Sequence, residues 1–343
     1  MRKLPHALIA LTITGAIMAQ GKRETANALH QENTIKDEQL LRAKQLVTKD
    51  GLRETGVPVC YLDELGDTII PYGKYLYCQA DTTHNINFVI ENARDARIVG
   101  LDSCGKELFY VFKYDNGPDY ISEGLFRITD GNDKIGFANS VGNIVITPQF
   151  KFATPFKNGK AAATTNGHTS HDGGHSKFLA DKWMIIDRNG NKLLEYHIAA
   201  NEGKSQRLLI TTATGQAIEY KYPTGTKIRT DLTDATVIMH DANFDGNDDI
   251  LINLGKHGKH MAQHYDCYLW NQQNKRYEKD NSFNKIENPQ IDSDERCVLS
   301  STKKSATSYV YKRFEYTCGR FVMVSTLTQT VKPNRPAPTS TEK

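Results

Sequence analysis

The stretch Asp241-Ala242-Asn243-Phe244-Asp245-Gly246-Asn247-Asp248-Asp249 places oxygen-bearing side chains at every second position ahead of a glycine. That is the spacing a hard cation requires. Asp241, Asn243 and Asp245 would supply side-chain oxygens, Gly246 the sharp turn and Asn247 its backbone carbonyl, while Asp249 would close the site directly or through water. The chemistry implied is Ca2+ binding in a structural role, because a cation would relieve the mutual repulsion of Asp241, Asp245, Asp248 and Asp249. Position twelve holds Ile252 rather than a bidentate Glu. The expected affinity is therefore weak, on the order of 0.1 to 1 mM. A plain acid-rich Asp-Gly hairpin turn is the alternative.

Two histidine groups invite a different metal. His168, His171 and His175 lie in a Gly, Ser and Thr-rich stretch, and His257, His260 and His264 follow a strand-like run. Either could hold zinc or copper if its loop folded back, and a polar connecting loop is the plainer reading of both. The chain has no Gly-x-Ser-x-Gly elbow, no His-Glu-x-x-His and no phosphate-binding glycine loop opening a helix, so the expectation is a protein that is not an enzyme. Trp183 and Trp270 are the two tryptophans, and sheet packing accounts for both more simply than a binding role.

The elements that must position these residues read as strands. Val237-Ile238-Met239 precede the acidic loop and Ile250-Leu251-Ile252 follow it. In this the loop resembles those of the FG-GAP and related β-repeat families, and it differs from an EF-hand, which would lead into a helix. A helix is expected over residues 29–51, with Leu40, Ala43 and Val47 on one face, Thr34 with Asp37 as a capping pair and Gly51 as its stop. Beyond it, strand-like runs broken by Gly, Asn and Asp continue to about residue 330.

The first half repeats a turn. Asp63 with Gly66, Asp102 with Gly105, Asn139 with Gly142 and Asp187 with Gly190 share one spacing, and Gly124 and Gly159 recur between them. Glycine there would supply positive φ, and Asp or Asn would fix the turn through the backbone. The run Ile135-Gly136-Phe137-Ala138-Asn139-Ser140-Val141-Gly142-Asn143-Ile144-Val145-Ile146-Thr147-Pro148, then Phe156-Lys157-Asn158-Gly159-Lys160-Ala161, resembles the WG-repeat family, and Trp183 stands where that family buries its ring. The resemblance spans roughly residues 58 to 195. It implies short antiparallel hairpins and an interaction surface, with no catalytic residues. The second half, with the calcium loop, Tyr268-Leu269-Trp270-Asn271, Asn288-Pro289, the Cys297 run and the Tyr309, Tyr311, Phe314, Tyr316 series, resembles a family of exported Gram-negative proteins, some members of which act as immunity proteins against cell-wall hydrolases. The aromatic series breaks alternation after Tyr311, which predicts a bulge.

Composition bounds the rest. The 343 residues suffice for about two domains, and 38% are hydrophobic. Met1-Arg2-Lys3 before the apolar run Ala7 to Ala19 matches a secretory signal, placing the mature protein in the periplasm or outside the cell. Losing Arg2 and Lys3 takes the formal charge from +3 to 3 − 2 = +1, so no basic field recommends nucleic acid. Six cysteines in an exported chain predict disulfides, with Cys297 and Cys318 one natural pair and Cys60 with Cys78 or Cys104 another. The expected organisation is a signal peptide (1–28), a helical lead-in (29–55), a WG-repeat-like β domain (56–198), a calcium-loop β-sandwich or propeller-like domain (199–331) and a Pro-rich tail (332–343). The function this implies is an exported calcium-stabilised binding protein with a protein partner, in its sharpest form an inhibitor or immunity protein against a toxin or cell-wall hydrolase, and with no integral membrane segment after signal cleavage. A metal-dependent envelope hydrolase using the histidine loops, or a purely structural envelope component, are the alternatives.

Overall fold

The structure is a computed structural model that describes residues 42–45, 54–78, 85–115, 117–172, 175–199, 207–222, 233, 235–257, 261–305 and 307–330. These residues are all-β, built of antiparallel sheets with no closed barrel, and the one helical element among them is the short 3-10 turn Phe283–Lys285. No helix among them is long and apolar enough to cross a membrane. The chain divides into two compact units, Met1–Pro148 and Gln149–Lys343.

The first unit is organised on a nine-stranded sheet that starts at Arg42–Gln45 and follows chain order, with the pair Lys113–Tyr114 and Gly117–Pro118 standing apart as its own small sheet. Alternation sets its outer strands: Val59 and Tyr61 turn inward from Pro58–Leu62 while their neighbours are half-buried. Its middle strands are apolar along their length. Ile98–Leu101 is buried at every residue, as are the first four residues of Leu125–Thr129 and of Ile135–Asn139, the pattern of a sheet covered on both faces. Arg127 is buried in that stretch and is answered by Asp119: Nε donates to Oδ2 at 2.9 Å and Nη2 to Oδ1 at 2.6 Å, with the guanidinium 4.1 Å from the centre of the Phe112 ring. A bidentate partner meets the desolvation cost of a charge this deep.

The second unit holds a six-stranded sheet from Phe152–Ala153 to Ala217–Lys221 and two four-stranded sheets. The first of these comprises Val237–His240, Asp249–His257, Ala262–Asn271 and Arg276–Asp280. One core joins it to the six-stranded sheet through Trp183, Leu194, Tyr196, Leu208, Ile210, Val237, Ile250 and Ile252. At about 1.5 to 3 kcal/mol for each large side chain withdrawn from water, this cluster fixes the sheet on which the acidic loop is hung. Trp183 is fully buried, edge-on to Phe152 and Phe178, so core packing explains it. A second cluster, with Ala242, Phe244, Leu251, Cys267, Phe283, Val298 and Phe321, joins both four-stranded sheets.

The repeated turn is present at every expected place. The Asp63, Asp102, Asn139 and Asp187 side chains each accept N–H bonds from the residues two and four further on, while their carbonyls accept from Gly66, Gly105, Gly142 and Gly190. Two further copies escaped the sequence reading. Asp130 makes the same bonds to Asn132 and Lys134, with Asp133 at φ 57° in the glycine place, and Thr212 substitutes its hydroxyl toward Gln216. Glu123-Gly124 and Asn158-Gly159 form matching two-residue hairpin turns, both residues at positive φ, bridging Ser122 to Leu125 and Lys157 to Lys160, the geometry that follows strand twist most closely. The bulge expected in the aromatic series lies between Arg313 and Phe314.

Other expectations need correction. Of the helix expected over 29–51, only Arg42–Gln45 is described, and it is a strand paired with Pro58–Leu62, Ala43 opposite Tyr61; an available sheet edge outweighs a weak helical period. The rest of that stretch, the signal-like segment and the tail 332–343 lie outside the described residues. No disulfide is formed among the described residues. Cys318-Gly319 is itself a hairpin tip at positive φ, whereas Val298 pairs with Phe314 and so sets Cys297 level with Glu315. Three residues of strand separate the two cysteines by about 10 Å, beyond disulfide reach. The boundary expected at 198/199 falls within Lys192–Ala199, a strand that pairs with Arg207–Thr212 in one sheet.

Candidate metal centre

The acidic loop joins Val237–His240 to Asp249–His257, two paired strands in which His240 lies opposite Asp249. Alternation continues through the loop itself. Ala242 and Phe244 are buried in the core, leaving Asp241, Asn243 and Asp245 on the outer side, half-buried to exposed. Phe244 has φ 64°, a conformation unusual for a bulky residue. Its ring is held in the core cluster, and its carbonyl accepts from Arg296 Nη2 at 2.5 Å.

Backbone N–H groups orient the oxygens. Asp241 accepts from Asp245 N–H at 3.1 Å and from Gly246 N–H at 2.8 Å; Asn243 Oδ1 accepts from Asp245 N–H at 3.2 Å; and Asp245 Oδ1 accepts from Asn247 N–H at 2.8 Å. Gly246, at φ 89°, makes the turn. Asp241, Asn243, Asp245 and the Asn247 segment are thus drawn round one turn, an all-oxygen donor set whose hardness suits Ca2+. Among the described residues no group of three or more His, Cys, Asp or Glu side chains is clustered as a metal site, so any such site here rests on Asn243 and backbone oxygen as well as on carboxylates.

Asp249 is set apart from that arc. It is fully buried; its Oδ2 accepts from Ala242 N–H at 2.8 Å and Asn243 N–H at 3.3 Å, and its Oδ1 from Trp270 N–H at 2.8 Å. Burial pushes its carboxyl up to about 7, against the opposing pull of these three donors. The side chain thereby ties the start of the loop to the next strand but one. Asp248 is bound by Lys160, Nζ to Oδ1 at 2.6 Å, so the residue after the Asn158-Gly159 turn reaches the loop. Neither the buried role of Asp249 nor the Lys160 contact has a local signal in sequence.

Among the described residues, neither histidine group is gathered into a metal cluster. Residues 168–172 and 175–179 form a β-hairpin in which His168 lies opposite Leu179 and His171 opposite Ser176. Three residues apart on one strand, His168 and His171 belong to opposite faces, and His171 Nδ1 is 2.9 Å from Ser176 Oγ. His264 Nδ1 is 3.1 Å from the Asn284 carbonyl; His260 lies outside the described residues. Trp270 is half-buried, its Nε1 donating to Gln272 at 2.9 Å and its ring 5.0 Å from that of Tyr277.

The model of the WG containing repeat family matches residues 135–167. That stretch carries Gly136, the Asn139 turn, Pro148, buried Phe156 and the Asn158-Gly159 turn, so a WG-type repeat is present there. No curated protein matches the chain. Among solved structures, a type IV secretion system related protein from Xanthomonas is 13% identical with a TM-score of 0.31, covering 48% of this chain and 87% of its own. A hypothetical selenium-binding protein from Sulfolobus tokodaii is 10% identical with a TM-score of 0.31, covering 85% and 91%. BamB from Moraxella catarrhalis is 9% identical with a TM-score of 0.26, covering 85% and 92%. None of these scores reaches the range in which a shared fold follows.

Proposed function

We propose that this is an exported binding protein stiffened by Ca2+, whose β-sheets present a surface to a protein of the cell envelope, in its sharpest form a toxin or cell-wall hydrolase that it inhibits. One observation carries the metal part of this reading: outward Asp241, Asn243 and Asp245 are oriented by loop N–H groups while Ala242 and Phe244 anchor the same loop in the core. Ca2+ would be held by the side chains of Asp241, Asn243 and Asp245 with the Asn247 carbonyl, and Asp249 would brace them from within. Support for a binding role comes from the repeated hairpin turns and the WG-type unit at 135–167. The test pairs calorimetric Ca2+ titration of the purified full chain with capture from an envelope extract. Binding near 1 mM that is lost in Asp241→Ala, together with recovery of one envelope protein whose lytic activity falls on addition of the chain, is the expected result. Indifference to Ca2+ and chelator alike would remove the metal, and recovery of no partner would remove the inhibitor role.

A further inference from the structure

Beside the acidic loop the second unit carries an open surface pocket of about 210 Å³ that no role assigned so far uses. Its walls are of two kinds. Leu193, Met239, Trp270 and Tyr277 form an apolar and aromatic lining, and Thr212, Thr214, Asn247 and Asp248 bring polar groups to the same space. The aromatic pair is fixed, with rings 5.0 Å apart at 62° and the indole N–H held by Gln272. The Tyr277 backbone is gripped twice by the Gln216 side chain, which accepts its N–H at 2.7 Å and donates to its carbonyl at 2.9 Å. Thr212 and Thr214 share a hydroxyl contact at 2.9 Å, and the Asn247 amide is held by Asp245 at 3.0 Å. The site is therefore assembled from five strands and two turns.

The charge balance selects the ligand. Aromatic rings with a carboxylate could suit a cation, but Asp248 is already neutralised by the Lys160 ammonium at 2.6 Å, which would repel one. What remains is a rigid aromatic wall facing hydroxyl and amide groups in a volume that admits a single six-membered ring. A pyranose has that shape, with an apolar C–H face to lie on an aromatic ring and hydroxyls round its rim to exchange hydrogen bonds. We propose that this pocket binds one neutral pyranose residue of an oligosaccharide, packed against Trp270 and Tyr277 and hydrogen-bonded by Thr214, Asn247 and Asp248.

The chain has two tryptophans, of which Trp183 is fully buried and Trp270 half-buried, so the emission of Trp270 is a direct reporter. The full chain would be titrated with maltose, with the β-1,4-linked disaccharide of N-acetylglucosamine and with choline chloride, each in Ca2+ and again in chelator, and read by fluorescence and calorimetry. Saturable binding of either sugar in either buffer, weakened at least tenfold in Trp270→Ala and severalfold in Thr214→Val, is the expected result. Thr214 is exposed at a turn, so its variant keeps the test open should Trp270→Ala fail to fold. No binding of either sugar at tens of millimolar in both buffers, sugar binding unchanged in Thr214→Val, or saturable binding of choline alone would overturn the proposal. Because both buffers are used, loss of the Ca2+ reading is told apart from loss of this one.

Discussion

Asp249 shows how a residue expected to close a metal site directly or through water can also carry a structural duty in the fold. As a motif member it reads as a ligand; in the fold, three backbone N–H groups claim its oxygens. Asp249→Ala should therefore orphan three donors and cost about 3 kcal/mol of stability, measured by urea unfolding, with the loss present in chelator as well as in Ca2+. A variant that lost stability only in Ca2+ would make Asp249 a ligand after all. Gly136 is a second such case. A Cβ there would stand 2.4 Å from the Ile146 carbonyl oxygen and 2.6 Å from Pro148 N, both backbone atoms that cannot swing aside. Gly136→Ala should destabilise by about 1 to 3 kcal/mol, and a melting temperature equal to the parent's would refute the close approach.

Among the strands and turns, the recurring unit is an Asp, Asn or Thr that fastens its own turn. That chemistry is local, which is why four of the six copies were legible as a spacing, and why the two without the Asp/Asn…Gly pairing, at Asp130 and Thr212, were not. Asp187→Ala should cost about 1 kcal/mol by thermal melting, whereas Asp187→Asn, which retains the oxygen that accepts from Asn189 and Asn191, should cost little. On the neighbouring strand Glu195 takes Lys182 at 2.7 Å and Lys192 at 2.7 Å, and these ammonium groups hold its carboxyl below the usual range. A carboxyl lowered in the folded state adds stability above its unfolded pKa and loses it as pH falls through the folded value. Acidification from about pH 5 to pH 3 should therefore erode the parent's stability more than that of Glu195→Gln. Because both lysines are half-exposed, the difference should stay below about 1 kcal/mol; an identical pH profile would show the pair to be energetically idle.

For the molecule as a whole, the division between Pro148 and Gln149 confines the candidate metal centre to the second unit. Ca2+ at 10 mM against a 1 mM site would add about 1.4 kcal/mol to the state that binds it. Hydrogen exchange should therefore slow across residues 237–280 and stay unchanged across 85–111, and uniform slowing of both would contradict a site confined to that unit. The sequence by itself determined that the body of the chain is built of strands, where four of its six recurring turns fall and which oxygens crowd one loop, because strand alternation, glycine turns and Asx bonds are contacts between residues near each other in the chain. Only the tertiary structure decided that Asp249 faces inward, that Lys160 binds Asp248, that Arg127 is buried on Asp119, that the Cys297 and Cys318 positions stand too far apart to pair, and that Trp270, Tyr277 and Thr214 line one pocket. Each of these depends on strand register and on which sheet faces pack, and such long-range pairings are set by the sum of the core rather than by any stretch that can be read alone.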